Sequence, residues 1–160
     1  MDVIEHLIAG HREVFEKKDF LDKLAAGINN DAFFWDNAPK VANFFDVEVR
    51  KHFEIEEKVL FPLLREVFPG DKRGIVDNIE LEHEPILRKV NELVNAAKEH
   101  SISATKVTRV QMAEISGSLL EMLVPHAHKE DVELFPLIKK HFKPESFERL
   151  EQLYFKYIGA

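Results

Sequence analysis

The sequence predicts an all-α protein, an up-down-up-down four-helix bundle closed by a short C-terminal helix. Three observations carry that expectation. Apolar residues recur at three- and four-residue spacing along most of the chain. The strongest breaks, Asn29-Asn30-Asp31 and Pro69-Gly70, separate long periodic segments. No pair of alternating segments is joined by a hairpin turn. Four long helices with short connections pack most simply as such a bundle, and 160 residues suffice for one domain, residues 1–160, around a single sizeable core.

In the first helix, expected over 2–26, the residues Val3, Ile4, Leu7, Ile8, His11, Val14 and Phe15 form one i, i+3/i+4 stripe, with Gly27 close to the end. Pro39 suits the first turn of a second helix over about 38–67. Its inward side is Val41, Phe44, Phe45, Val49, His52, Glu56, Val59, Leu60 and Leu63. The third helix is expected over about 72–99 and the fourth over about 104–141. Pro144-Glu145-Ser146 then opens an amphipathic tail helix ending near Ile158.

Composition narrows the function. The chain is 45% apolar and 32% charged, as in an ordinary globule, and its net charge of -7 with no Lys/Arg run argues against a nucleic-acid partner. The N-terminal MDVIEHLIAGHREVF lacks the basic start of a signal peptide, and no apolar run approaches the roughly 20 residues of a membrane span. A cytoplasmic protein without membrane contact is expected. With no cysteine, disulfides, iron–sulfur clusters and thiolate sites are excluded, so any metal must be held by nitrogen and oxygen.

The chain repeats itself. HFEIEEKVLFPLL, from His52, and HAHKEDVELFPLI, from His126, align without gaps on the His, the Glu four residues later, and Leu-Phe-Pro-Leu. A weaker repeat pairs Gly10-His11-Arg12-Glu13-Val14-Phe15 with Glu82-His83-Glu84-Pro85-Ile86-Leu87. His52 follows His11 by 41 positions and His126 follows His83 by 43, so the chain reads as two copies of one helical hairpin. At 1.5 Å rise per residue, His11 and His52 each lie about 20 Å from their shared end of the bundle, and all four histidines can lie in one layer.

His11, His52, His83 and His126 thus sit on the apolar stripes of separate helices. Glu56 and Glu130, each four residues beyond a histidine, fall on the same faces. Two carboxylates buried in a bundle need a counter-charge, and no Lys or Arg falls on those stripes at matching depth. A metal is the natural partner. Six ligands exceed a structural zinc site, and histidines do not suit calcium or magnesium. A mixed imidazole–carboxylate set in a bundle suits a pair of irons bridged by carboxylates. His6, His100, His128 and His141 read as surface or structural residues, and Glu57, rotated by about 100° from Glu56, as facing a neighbouring helix or solvent.

The combined pattern, His11, His52-x-x-x-Glu56-Glu57…Leu60-Phe61-Pro62, Glu82-His83 and His126-x-x-x-Glu130-Asp131…Leu134-Phe135-Pro136, resembles the hemerythrin-like, or HHE cation-binding, domain over about residues 3–142. The resemblance implies a left-handed bundle around two non-haem irons, oxo- or hydroxo-bridged, with His11, His52, His83 and His126 as terminal ligands and Glu56 and Glu130 as bridges. It departs from the oxygen-carrier pattern on the third helix, where Ile79 stands in place of a further histidine. Glu80, a water or an open position could fill that place. The carriers' His-x-x-x-x-Asp spacing is also met by His126 and Asp131, but Glu130 matches Glu56 in the internal repeat and is preferred.

Pro62, Pro85, Pro125 and Pro136 all lie near the candidate ligands. They either bend the helices around the metal layer or mark where the second and fourth helices approach their ends. Phe15, Phe53, Phe61 and Phe135 are expected to line an apolar pocket at the site. The functional expectation is binding of a small diatomic ligand, O2 or NO, for sensing, scavenging or storage. The alternative is a di-iron enzyme or repair protein handling NO, peroxide or iron donation, and a further one is a bundle that a metal merely stabilises.

Overall fold

In the computed structural model the described residues are 2–26 and 32–159. Gly27 and the Asn29-Asn30-Asp31 turn therefore lie outside them. Every element is helical: α1 (Val3–Ala26), α2 (Ala32–Ile55), α3 (Phe61–Val67), α4 (Arg73–Leu81), α5 (His83–Ile102), α6 (Lys106–Lys129), α7 (Phe135–His141) and α8 (Pro144–Tyr157). A wide π-helical turn joins α2 to α3 at Glu56–Leu60, and a second joins α6 to α7 at Glu130–Leu134. The four rods of the bundle are α1, α2–α3, α4–α5 and α6–α7. α1 packs on α2 and α6, while α5 packs on the same two from the opposite side. The all-α bundle with its C-terminal helix is as the periodicity predicts. None of the described helices is long and apolar enough to cross a membrane.

Local chemistry sets most boundaries. Asp2 caps α1, its Oδ1 accepting from the Ile4 amide at 2.9 Å. Thr105 and Thr108 cap α6 reciprocally, through bonds of 3.1 and 2.9 Å between side chains and amides. At Phe68 the chain turns extended, and Pro69-Gly70 starts a single tight turn before α4.

Three boundaries differ from expectation. α2 starts at Ala32, so Pro39 lies inside the helix rather than in its first turn. Phe34 and Trp35, 8% and 5% exposed, are what that added length buries, and core packing outweighs the preference of proline for a helix start. The third rod is two helices rather than one. Pro85 has no N–H for the Leu81 carbonyl, and the Glu82 amide tightens onto Ile79 O at 3.1 Å, so the helix breaks immediately before His83.

The third difference resolves the role of Pro62 and Pro136. Phe61 N–H bonds the carbonyl of Glu56, and Phe135 N–H that of Glu130, five residues back instead of four. A proline next in line cannot donate to Lys58 or Val132, so it sits where the register skips. The helices do not end there; α3 and α7 each continue for seven residues. Both copies of the repeat therefore carry a π turn that begins at the glutamate.

The apolar interior forms two clusters. One, with Leu24, Trp35, Phe45, Val90, Leu93 and Leu119, fills one end of the bundle. The other, with Leu7, Phe61, Phe68, Ile79, Leu134 and Tyr154, fills the end covered by α8. His11, Glu56, His83, His126 and Glu130 are buried polar residues on the rods these clusters share, with His52 beside them partly buried.

Candidate metal centre

Each rod delivers its histidine to one place. His11 Nε2 lies 3.1 Å from His52 Nε2 and 3.4 Å from Glu130 Oε1. His52 Nε2 lies 3.5 Å from Glu56 Oε2 and 3.9 Å from Glu130 Oε1. On the opposite side His83 Nε2 is 3.3 Å from Glu56 Oε1, and His126 Nε2 is 3.2 Å from Glu130 Oε1. The atoms form two triplets, His11/His52/Glu130 and Glu56/His83/His126, each with its donor atoms within 4.8 Å of one another. The structure thus brings together all six residues singled out from the repeat. Glu56 also reaches His52, and Glu130 also reaches His126, so each carboxylate touches imidazoles of both triplets.

These donors are poorly satisfied by one another. Both oxygens of Glu56 and Glu130, and Nε2 of His83 and His126, are buried without a hydrogen-bond partner. The contacts of 3.2 and 3.3 Å among them bring opposite partial charges close but lack hydrogen-bond alignment. A buried unsatisfied donor or acceptor costs about 1–3 kcal/mol, and a buried carboxylate several. Imidazole and carboxylate atoms converging in this way fit transition-metal coordination, which would meet the donors of each triplet.

Electrostatics within the layer favours an ionised Glu56 and a neutral His126. Burial works to raise the Glu56 pKa, but His52 and His83 outweigh it and hold the carboxyl at about 2. Burial dominates at His126, lowering it to about 4 and keeping the ring neutral at neutral pH despite Glu56 and Glu82. His83 goes the other way. Burial lowers it, yet Glu56 and Glu57 together leave it raised above its ordinary value.

The outward nitrogens reveal what the repeat did not. His11 Nδ1 donates to Asp131 Oδ1 at 2.8 Å, His83 Nδ1 to Glu57 Oε1 at 3.1 Å, and His126 Nδ1 to Glu82 Oε1 at 2.9 Å. Lys129 in turn donates to Glu82. A carboxylate acceptor fixes the proton on Nδ1 and aims the Nε2 lone pair inward, an arrangement common behind metal-bound histidines. Glu57 faces the neighbouring helix, as its phase predicts, but its task there is to hold His83. Asp131 likewise stands behind His11, leaving Glu130 as the inward carboxylate. The sequence signal was present: each inward glutamate is followed by a second acid, Glu56-Glu57 and Glu130-Asp131. In the wider π turn successive residues rotate less, so both members of a doublet serve the same neighbourhood.

Aromatic rings cover part of the layer. Phe53 stacks on His83 at 3.7 Å between centroids, and Phe61 lies 5.6 Å from the same ring. Phe135 lies 5.8 Å from His11. Phe15 does not join them; it is half-buried, and Val14 lines the cavity at the site instead. Glu80 joins neither triplet. Arg65 holds it in an ion pair away from both triplets, and Ile79 is packed in the apolar cluster under α8. Of the other histidines, His128 is exposed, while His100 is buried and bonded to Thr108 Oγ1 at 2.8 Å.

Compared with known protein families, the chain matches over residues 2–138 the model described as the hemerythrin HHE cation binding domain. No curated protein and no solved structure matches it.

Proposed function

The chain belongs to the hemerythrin HHE cation-binding family, which makes it a metal-binding protein, and from that premise we propose that it holds two non-haem irons and binds a small diatomic ligand, O2 or NO, for sensing, scavenging or storage. His11 and His52 serve one iron and His83 and His126 the other, with Glu56 and Glu130 bridging. The observation that carries this reading is the pair of carboxylates. Each is fully buried, has both oxygens unsatisfied, and touches imidazoles of both triplets. A single ion would leave one triplet of buried donors unmet.

The irons would supply the redox chemistry and the affinity for a diatomic molecule. The chain supplies the rest. Asp131, Glu57 and Glu82 keep three imidazoles in the tautomer that presents Nε2. Phe53 and Phe61 pack on His83 and Phe135 lies by His11, so these faces of the site are apolar, which favours a small weakly polar guest over hydrolytic chemistry. Four imidazoles leave part of the metal coordination to groups from outside the chain, which is where such a guest would bind.

The test is an optical titration of the anaerobically iron(II)-loaded protein with O2 and, separately, NO. The reading expects a saturable spectral change with at least one gas at no more than one equivalent per iron pair. Absence of any change with both gases, in protein that contains two irons, would remove the diatomic-ligand assignment.

A further inference from the structure

In the six inward residues and the carboxylates behind the histidines, the two halves of the site follow the internal repeat, except at one position. His11 corresponds to His83, His52 to His126, Glu56 to Glu130 and Glu57 to Asp131. The outer bonds obey the same symmetry: Glu57 holds His83, and Asp131 holds His11. Glu82, the residue before His83, holds His126 and is itself held by Lys129. Its counterpart, the residue before His11, is Gly10. Gly10 has no side chain to offer, and no described residue accepts from His52 Nδ1.

Gly10 also lies directly against that nitrogen. A Cβ there would stand 2.9 Å from His52 Nδ1 and 3.6 Å from its Cε1, too close for the ring to stay in place. The space left beside it belongs to a cavity of about 80 Å³ that opens between α1 and α2 and reaches α6, lined by Gly10, His11, Lys51, His52, His126 and Glu130 among others. His52 is the most open of the four rings, with 12% of its side chain exposed against 7% for His11, 2% for His83 and 1% for His126. Its shortest contact is the one to His11, beside looser ones of 3.5 and 3.9 Å to Glu56 and Glu130. Since His11 keeps its proton on Nδ1 for Asp131, its Nε2 can only accept, and the 3.1 Å bond needs the His52 proton on Nε2, the wrong tautomer for a ligand.

We propose that Gly10 makes the two metal positions unequal: it leaves His52 as the one ligand without a carboxylate behind it, so the metal held by His11, His52 and Glu130 exchanges first, through the cavity between α1 and α2. Gly10 and Glu82 are thus positioning residues acting through His52 and His126. The inference rests on the two-metal reading above.

The experiment loads the protein with iron(II) anaerobically, counts the metal, and follows its release to excess 2,2′-bipyridine by absorbance. A starting content near one iron would refute the two-metal reading itself, before release is measured. With two present, release should be biphasic, one equivalent in each phase, with rates differing by about 10–100-fold, the effect usual for loss of an outer-shell partner. Gly10→Ala, which pushes on His52, should speed the fast phase and leave the slow one unchanged; the intact slow phase also reports that the bundle is folded. Glu82→Ala should bring the slow equivalent up to the fast rate, and Glu82→Gln, whose amide oxygen still accepts from His126, should largely restore it. In protein stripped of metal, nitrogen-15 NMR of the rings at mildly alkaline pH should find Nδ1 protonated in His11, His83 and His126, and the proton on Nε2 in His52. A single release rate in the wild type, equal effects of Gly10→Ala on both phases, or the same tautomer in all four rings would overturn the proposal.

Discussion

Replacing Glu130 with methionine should change stability in opposite directions with and without metal. Glu130 is fully buried and neither oxygen has a hydrogen-bond partner. Its nearest imidazole, His126 at 3.2 Å, is held near a pKa of about 4 and is neutral at neutral pH, so removing the carboxylate strands no cation there. Methionine keeps the length and unbranched shape, which limits any cavity. Where no opposite charge is left unpaired, exchanging buried ionic groups for well-packed apolar ones of similar volume is often neutral or stabilises by about 1–4 kcal/mol. We therefore expect metal-free Glu130→Met to be more stable than metal-free wild type by about 2 kcal/mol, or about 4–8 °C in Tm for a chain of this size. Ferrous iron at 100 times its Kd should raise wild-type stability by about 2.7 kcal/mol, and the variant should show far less of that gain. Thermal and urea unfolding by circular dichroism, with and without iron under anaerobic conditions, measures both. If Glu130→Met is less stable than wild type without metal, the carboxylate serves the fold, and the argument that it is held in readiness for a cation fails.

Three other expectations follow from the same geometry. Glu57→Ala and Asp131→Ala should each weaken iron binding about 10–100-fold with helicity unchanged, whereas Glu54→Ala, which breaks contacts with Lys58 and Tyr157 away from the histidines, should not; equal affinities for all three by competition with a chelator would refute the outer-carboxylate role. Iron affinity should fall on acidification from a pH above 6.5, because protons compete for His83 and its pKa is raised by Glu56 and Glu57 against the opposing effect of burial; an affinity flat down to pH 6 would contradict this. His100, lowered by burial and by Arg109, takes up its proton near 6.5 when unfolded but not when folded, so its contribution to stability is whole above 6.5 and is lost as pH falls below it. His100→Asn, which can keep the bond to Thr108, should flatten the stability–pH curve there, and an unchanged slope in urea unfolding would count against it.

The convergence of the four histidines and two glutamates was legible because they lie in the helical period. A His and a Glu four apart on an apolar stripe can only meet on one face, and the repeat showed the pattern twice. The outer carboxylates were harder to see, since Glu57, Asp131 and Glu82 are polar residues at partly exposed positions, where acids are ordinary. What gives them meaning is a neighbouring helix, and that is a tertiary fact. The π turns were hidden for another reason. A proline in a helix announces a missing N–H but not whether the chain will bend, stop or skip a residue, and here it skips at both glutamates. The start of α2 was misplaced because Pro39 is a good first-turn residue, while the burial of Phe34 and Trp35 that extends the helix depends on the far end of the core.

The central claim is that two irons share Glu56 and Glu130. Its most direct test is the iron-to-protein ratio of chain reconstituted anaerobically with iron(II) and desalted, measured by elemental analysis beside Glu56→Ala and Glu130→Ala. The account predicts about two irons per chain in the wild type and loss of most of the metal in either variant, since each carboxylate touches both triplets. A ratio near one in the wild type, or a variant that keeps its full complement, would contradict it.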